Sequence, residues 1–132
     1  MKPKISLITL GVRDLKAATA FYKKLGFPVA KESNEHITFL TLEGTWLGLF
    51  PREELAKDAM VDAEGTGFKS FTLAHNVGSP EAVEAVLKEA VAAGGKLEKK
   101  ARKAEWGGFS GYFRDPDGFL WEVAHNPFMD LT

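Results

Sequence analysis

The chain has no cysteine. Disulfides, thiolate metal ligands and cysteine nucleophiles are therefore excluded together. It also lacks a dominant charge: 17 Lys and Arg stand against 18 Asp and Glu, for a net charge of −1. Such a balance offers no broad attraction for nucleic acid or for an anionic membrane surface. The one basic run, Lys99-Lys100-Ala101-Arg102-Lys103, reads as a solvated strand end and loop rather than a phosphate-binding patch. No apolar run is long enough to span a membrane. Met1-Lys2-Pro3-Lys4 leads straight into an alternating strand pattern, without the apolar centre of a signal peptide. A cytoplasmic home is the expectation. Neither a glycine-rich phosphate loop nor a serine nucleophile elbow is present, since Gly107-Gly108 precedes a strand and not a helix.

What is present is the material of a single globular domain: 132 residues, 45% hydrophobic and 27% charged. Ile5 to Val12 alternates, with Ile8, Leu10 and Val12 on one face and Leu7, Thr9 and Gly11 on the other. Asp14 suits a helix N-cap, Leu15, Ala18, Tyr22 and Leu25 recur at helical spacing, and Gly26 is placed to stop the helix. Phe27 to Lys31, His36 to Leu42 and Thr45 to Phe50 then read as three strands. Arg52 to Asp58 reads as a short helical turn, followed by a flexible connection that closes at Gly65 to Gly67. After it the order restarts. Phe68 to His75 reads as a strand, and Ser79-Pro80 caps a helix with an apolar stripe of Val83, Val86, Leu87 and Ala90. Gly94-Gly95 ends that helix, and Lys96 to Arg102 reads as a charged strand.

The expected fold class is α+β, built from two βαβββ modules: module one over residues 5–50, a connection over 51–67 and module two over 68–126. Element order alone also permits a ferredoxin-like arrangement.

The last module closes with a hairpin. Asp115-Pro116-Asp117-Gly118 combines side chains that bond nearby backbone, a proline with φ preset and a glycine free to take positive φ. Beyond it, Trp121 and Val123 share one strand face, and the carboxylate of Glu122 interrupts the other. The Asp-Pro-Asp-Gly turn followed by Trp121-Glu122-Val123 resembles the closing hairpin of the vicinal oxygen chelate superfamily. That group includes glyoxalases, extradiol dioxygenases and bleomycin resistance proteins. Leu10-Gly11-Val12-Arg13-Asp14-Leu15, leading to Phe21-Tyr22 and Leu25-Gly26-Phe27, is a second motif similar to that family. The resemblance implies two curved mixed sheets around a cleft, with helices on the outer faces, and a homodimer. In metal-dependent members it also implies a metal ligand at the position of Glu122.

Aligning the modules puts Gly48 opposite Glu122 and Leu7 opposite Ser70, with Thr72 as the alternative to Ser70. Metal-dependent relatives carry His, Glu or Gln at most of these places. Here one strong ligand remains, whereas a catalytic zinc site usually has three protein ligands and hard cations need several oxygens. With Leu7 and Gly48 in ligand positions, no metal and no other cofactor is expected. His36, His75 and His125 fall at turns or strand ends, and alternation puts His125 on the strand face opposite Glu122.

Two roles fit Glu122. It can hydrogen-bond to hydroxyls such as Thr9, Ser70 or Thr72, since an unpaired buried carboxylate is costly. It can instead contact a ligand or act as a general base, its pKa raised by desolvation. Trp46 and Phe50 in one half and Trp106 and Phe109 in the other are candidate aromatic contacts. With Ser70, Thr72 and Glu122 they outline a site for a flat or cationic organic molecule. The expected activity is metal-free small-molecule binding. The alternative is a glyoxalase-like lyase, an isomerase or a dioxygenase-related enzyme acting on a small metabolite.

Overall fold

Asp14 caps the first helix by accepting from the amide of Ala17 at 3.0 Å, and Ser79 caps the third by accepting from Ala82 at 3.2 Å. Each helix also ends in the same way. Gly26 (φ 97°) and Gly94 (φ 115°) take the left-handed conformation that a Cβ penalises, so the next amide can turn back on the helix. The Phe27 amide accordingly donates to Tyr22 O, and the Gly95 amide to Ala90 O, both at 2.9 Å.

The computed structural model describes residues 1–132 as two compact units, residues 1–65 and 66–132. In the first, β1 (Leu7–Val12), α1 (Leu15–Lys24), β2 (Thr38–Leu40), β3 (Trp46–Pro51) and α2 (Arg52–Asp58) follow in order. Their sheet runs β1-β3-β2, with β1 parallel and β2 antiparallel to β3. An antiparallel bridge from Val29 to Leu40 adds a fourth position. In the second unit, β4 (Leu73–Asn76), α3 (Pro80–Ala92), β5 (Lys96–Lys103), β6 (Phe109–Arg114) and β7 (Leu120–His125) form a sheet of order β4-β7-β6-β5. The first strand again lies parallel to the last. The two sheets therefore share one topology, with Val29 standing where the second unit has β5. Two separate mixed sheets replace the single sheet of a ferredoxin-like arrangement.

Alternation sets the cores. Leu10, Val12, Leu40, Leu47 and Leu49 are buried beneath Ala18, Phe21 and Tyr22 of α1. Phe113, Trp121 and Val123 are buried on the side of Val83, Leu87 and Ala90 of α3. Each fully buried side chain of this size contributes about 1.5–3 kcal/mol. The Phe113 and Trp121 rings stack with centroids 6.0 Å apart. No helix is long and apolar enough to cross a membrane.

Three strands differ from expectation. The Phe27–Lys31 strand reduces to the Val29 bridge, because Pro28 has no N–H to give to a ladder. The strand expected from His36 begins only at Thr38. Asn34 Oδ1 accepts from the His36 and Ile37 amides at 2.8 and 3.1 Å, holding them in a turn. The strand expected from Phe68 begins at Leu73, because Gly67 (φ 78°) and Ser70 (φ 63°) are left-handed and break an extended backbone.

Candidate functional site

The hairpin that carries Glu122 is pinned by one side chain. Asp115 is 4% exposed, and its Oδ1 accepts from the amides of Asp117 at 2.9 Å and Phe119 at 2.8 Å. Gly118 (φ 85°) completes the reversal. Arg114 locks the base: Nε lies 2.6 Å from Glu98 Oε2, Nη2 lies 3.3 Å from Oε1, and Nη1 donates to Gly118 O at 3.1 Å. The hydrogen bond from Arg114 holds the Glu98 carboxyl below its ordinary pKa.

With the turn fixed, register follows. Arg114 pairs with Leu120, Tyr112 with Glu122 and Ser110 with Ala124. Side chains of directly opposed residues share a face, so Tyr112 is the neighbour of Glu122 on the side of the sheet away from α3. Burial first, then the negative charge and hydrogen bond of Glu122, raise the Tyr112 phenol above its ordinary pKa. The phenol is thus a protonated donor beside a carboxylate acceptor. On the far side of Tyr112, Lys99 Nζ lies 5.8 Å from the ring centroid, within cation–π range. On the other flank of Glu122 the parallel partner is Ala74.

Tyr112 was not among the residues expected from the sequence. The signal was there: counting outward from the Asp115–Gly118 turn across the hairpin pairs it with Glu122. Phe109 is corrected in the opposite sense. Along β6 it alternates with Gly111 and Phe113 on the side of α3, since a Cβ on Gly111 would lie 2.7 Å from Leu87 Cδ1. Trp106, 48% exposed, lies in the β5–β6 turn with its indole across Gly108, beyond the Phe109–His125 pair and away from Glu122. His125 stays on the opposite face from Glu122, its Nδ1 3.2 Å from Val77 O.

The strand registers also correct the module alignment. Gly48 pairs with Thr9 and Glu122 with Ala74, and Thr9 and Ala74 precede the two N-caps, Asp14 and Ser79, by the same count. Leu7 therefore corresponds to Thr72. Ser70 lies earlier, in the left-handed segment before β4.

In the first unit, Leu7, Thr9, Trp46, Gly48 and Phe50 share the sheet face opposite the core leucines. A Cβ on Gly48 would lie 3.2 Å from Thr9 Oγ1 and 3.6 Å from Leu7 Cδ1. Leu7 and Gly48 are thus adjacent, and neither carries a donor atom. Phe39 pairs with Gly48 from β2, so Trp46, Phe39 and Phe50, all half-buried, surround that glycine. Phe39 too was missed from the sequence.

The positions to which the resemblance assigns metal ligands are thus occupied by Leu7 and Gly48 in one unit, and by Thr72 and Glu122 in the other. A single carboxylate and a hydroxyl do not fit a zinc site or a hard-cation site. No group of three or more His, Cys, Asp or Glu side chains is arranged to hold an ion.

Paired units of strand, helix and three strand positions, each with its first strand parallel to its last, define a βαβββ-repeat protein with its candidate polar group on the closing hairpin. Residues 4–123 match the Glyoxalase/Bleomycin resistance protein/Dioxygenase superfamily, and the chain belongs to that family. It is similar to the metallothiol transferase FosB of Shouchella clausii (strain KSM-K16), 29% identical over 121 residues, which cover 90% of this chain and 77% of that protein. The crystal structure of a glyoxalase-related enzyme from Fulvimarina pelagi has 34% sequence identity and a TM-score of 0.89, with 98% of this chain and 93% of the other covered. A glyoxalase/bleomycin resistance protein/dioxygenase family enzyme from Burkholderia phytofirmans PsJN gives 25% identity and a TM-score of 0.82, covering 92% of this chain and 98% of the other.

Proposed function

We propose that this chain binds a small organic molecule without a resident metal, using Glu122 and Tyr112 as its polar anchor. The observation that carries the reading is the cross-strand pairing of the two, with the phenol kept protonated. With the phenol proton donated to Glu122 in their hydrogen bond, the carboxylate and the phenol oxygen both have lone pairs left to accept from an ammonium or hydroxyl donor. In the first unit, Trp46, Phe39 and Phe50 are proposed as an aromatic contact surface in their own right, fit for a flat or cationic group. Thr72 is proposed as a further hydroxyl contact, at the counterpart of Leu7. A homodimer in the cytoplasm is the state in which this binding is proposed to operate, on the strength of family membership and the absence of cysteine.

Thermal-shift screening of the purified chain against aromatic amines, aromatic metabolites and antibiotics tests the proposal, since a ligand that binds only the folded state raises its melting temperature. A hit should weaken by roughly tenfold or more in Glu122→Gln or Trp46→Ala. A ligand bound equally by the parent and by both variants overturns the assignment.

A second reading is favoured by the same pair. Glu122 as base and Tyr112 as acid could move a proton between two carbons of a bound metabolite, the chemistry of an isomerase or lyase. A turnover assay on the methylglyoxal–glutathione adduct, whose isomerisation moves a proton between two carbons, separates the readings. Turnover abolished by both Glu122→Gln and Tyr112→Phe establishes the second.

A further inference from the structure

The outer side of α1 carries a groove of about 680 Å³, apart from the Glu122–Tyr112 pair. It runs between the helix and the segment from Val29 to Thr38, entirely within the first unit. Trp46, Gly48 and Phe50 lie on the other face of the sheet from α1. The floor is built. Thr38 is 4% exposed, and its hydroxyl meets that of Thr19 at 2.8 Å, joining helix to edge strand. Ser33 Oγ is occupied, accepting from the Phe39 amide at 2.9 Å and donating to Phe39 O at 3.3 Å. Leu15, Ala20 and Val29 supply apolar wall.

The rim is basic. Lys16, Lys23 and Lys24 all border the groove, and none forms an ion pair. The one acidic neighbour, Glu35, lies 3.3 Å from His36 Nε2. Lys16, Thr19, Ala20 and Lys23 follow the spacing that puts residues on one stripe of a helix. Helix electrostatics account for only part of this. Lys23 and Lys24 sit in the last turn, where cations offset the negative end of the dipole. Lys16 sits in the first turn, at the positive end, where a cation is disfavoured and an anion is welcome.

We infer that this groove binds an amphipathic organic anion, with its carboxylate or sulfonate between Lys16 and Lys23 and its apolar body against Leu15, Ala20 and Val29. The volume is that of a small-molecule site. The lysine stems add apolar wall while their ammonium groups stay in water.

The test is amide NMR on the isotope-labelled full chain, titrated separately with sodium octanoate, sodium naphthalene sulfonate and neutral octanol. Saturable shifts at Lys16, Thr19, Ala20 and Ser33 with either anion are expected. Octanoate alone points to an acyl ligand and the sulfonate alone to an aryl one. The double variant Lys16→Glu with Lys23→Glu should weaken the anion by roughly tenfold or more. Ala20→Trp, which fills the groove from an exposed position, should abolish the shifts while leaving the rest of the spectrum folded. Absence of saturable shifts at these residues overturns the inference. So does octanol binding as tightly as octanoate, or full affinity in the double lysine variant.

Discussion

Tyr112 stands directly across the β6–β7 ladder from Glu122, on the sheet face that α3 leaves open. The pair gives this face a donor and an acceptor on one rung of the ladder. Lys99, over the opposite side of the Tyr112 ring, makes the row a sequence of cation, phenol and carboxylate across three strands.

The first prediction follows from the charge on Glu122. Burial raises the Tyr112 pKa most and the carboxylate raises it further, so Glu122→Gln should lower it part of the way back. Ultraviolet difference absorbance on alkaline titration reads this, with fully buried Tyr22 as the only other tyrosine. The sign for stability is fixed. A phenol that holds its proton more tightly when folded contributes stability fully present below its unfolded pKa of about 10, and that stability is lost as pH rises through the folded value. Glu122→Gln should therefore flatten the alkaline loss of stability. An unchanged Tyr112 titration would show that the two groups do not interact.

Legibility in the sequence tracked local chemistry. Asp14, Ser79-Pro80, Gly26 and Gly94 announce helix ends by side-chain and backbone rules that act within a few residues, and all four act in the structure as read. The Asp115–Gly118 hairpin was readable for the same reason. Strands whose limits depend on partners were not. Val29 keeps one bridge because Pro28 has no N–H to return to its partner strand, and Ser70 is left-handed for no reason its neighbours declare. At the candidate site, Glu122 was visible as a carboxylate breaking an apolar strand. Tyr112 and Phe39 needed cross-strand register, and so did the face on which Phe109 lies.

The hairpin turn should prove a point of stability. Asp115→Ala leaves the amides of Asp117 and Phe119 without their acceptor, in a turn where the aspartate is 4% exposed. A buried donor left unpaired costs about 1–3 kcal/mol, so urea unfolding should show a loss of about 2–4 kcal/mol. Asp115→Asn keeps an acceptor oxygen and should lose less. Equal losses for the two variants would mean that the charge, and not the acceptor geometry, fixes the turn.

Gly111 marks the closest approach in the second sheet. An added Cβ would lie 2.7 Å from Lys99 O and 2.9 Å from Ala101 N, at the register shift between β5 and β6. Backbone on a neighbouring strand cannot swing aside as a side chain does. Gly111→Ala should thus cost about 1–3 kcal/mol, the usual range for overpacking. Gly78→Ala is the control, since Gly78 is not left-handed and has nothing within 4 Å of a built Cβ. Comparable destabilisation in both variants would show that crowding is not the cause.

The last prediction concerns metal, and the donor atoms decide it. Leu7 and Gly48 have none, Thr72 has a neutral hydroxyl, and Glu122 alone supplies charge to any cation. Calorimetric titration of the parent chain with zinc, nickel and manganese should show no stoichiometric binding, and chelator treatment should leave the affinity for an organic ligand unchanged. Stoichiometric metal in the parent, lost in Glu122→Gln, would show that this hairpin recruits donors beyond the family positions, and the metal-free reading would fall.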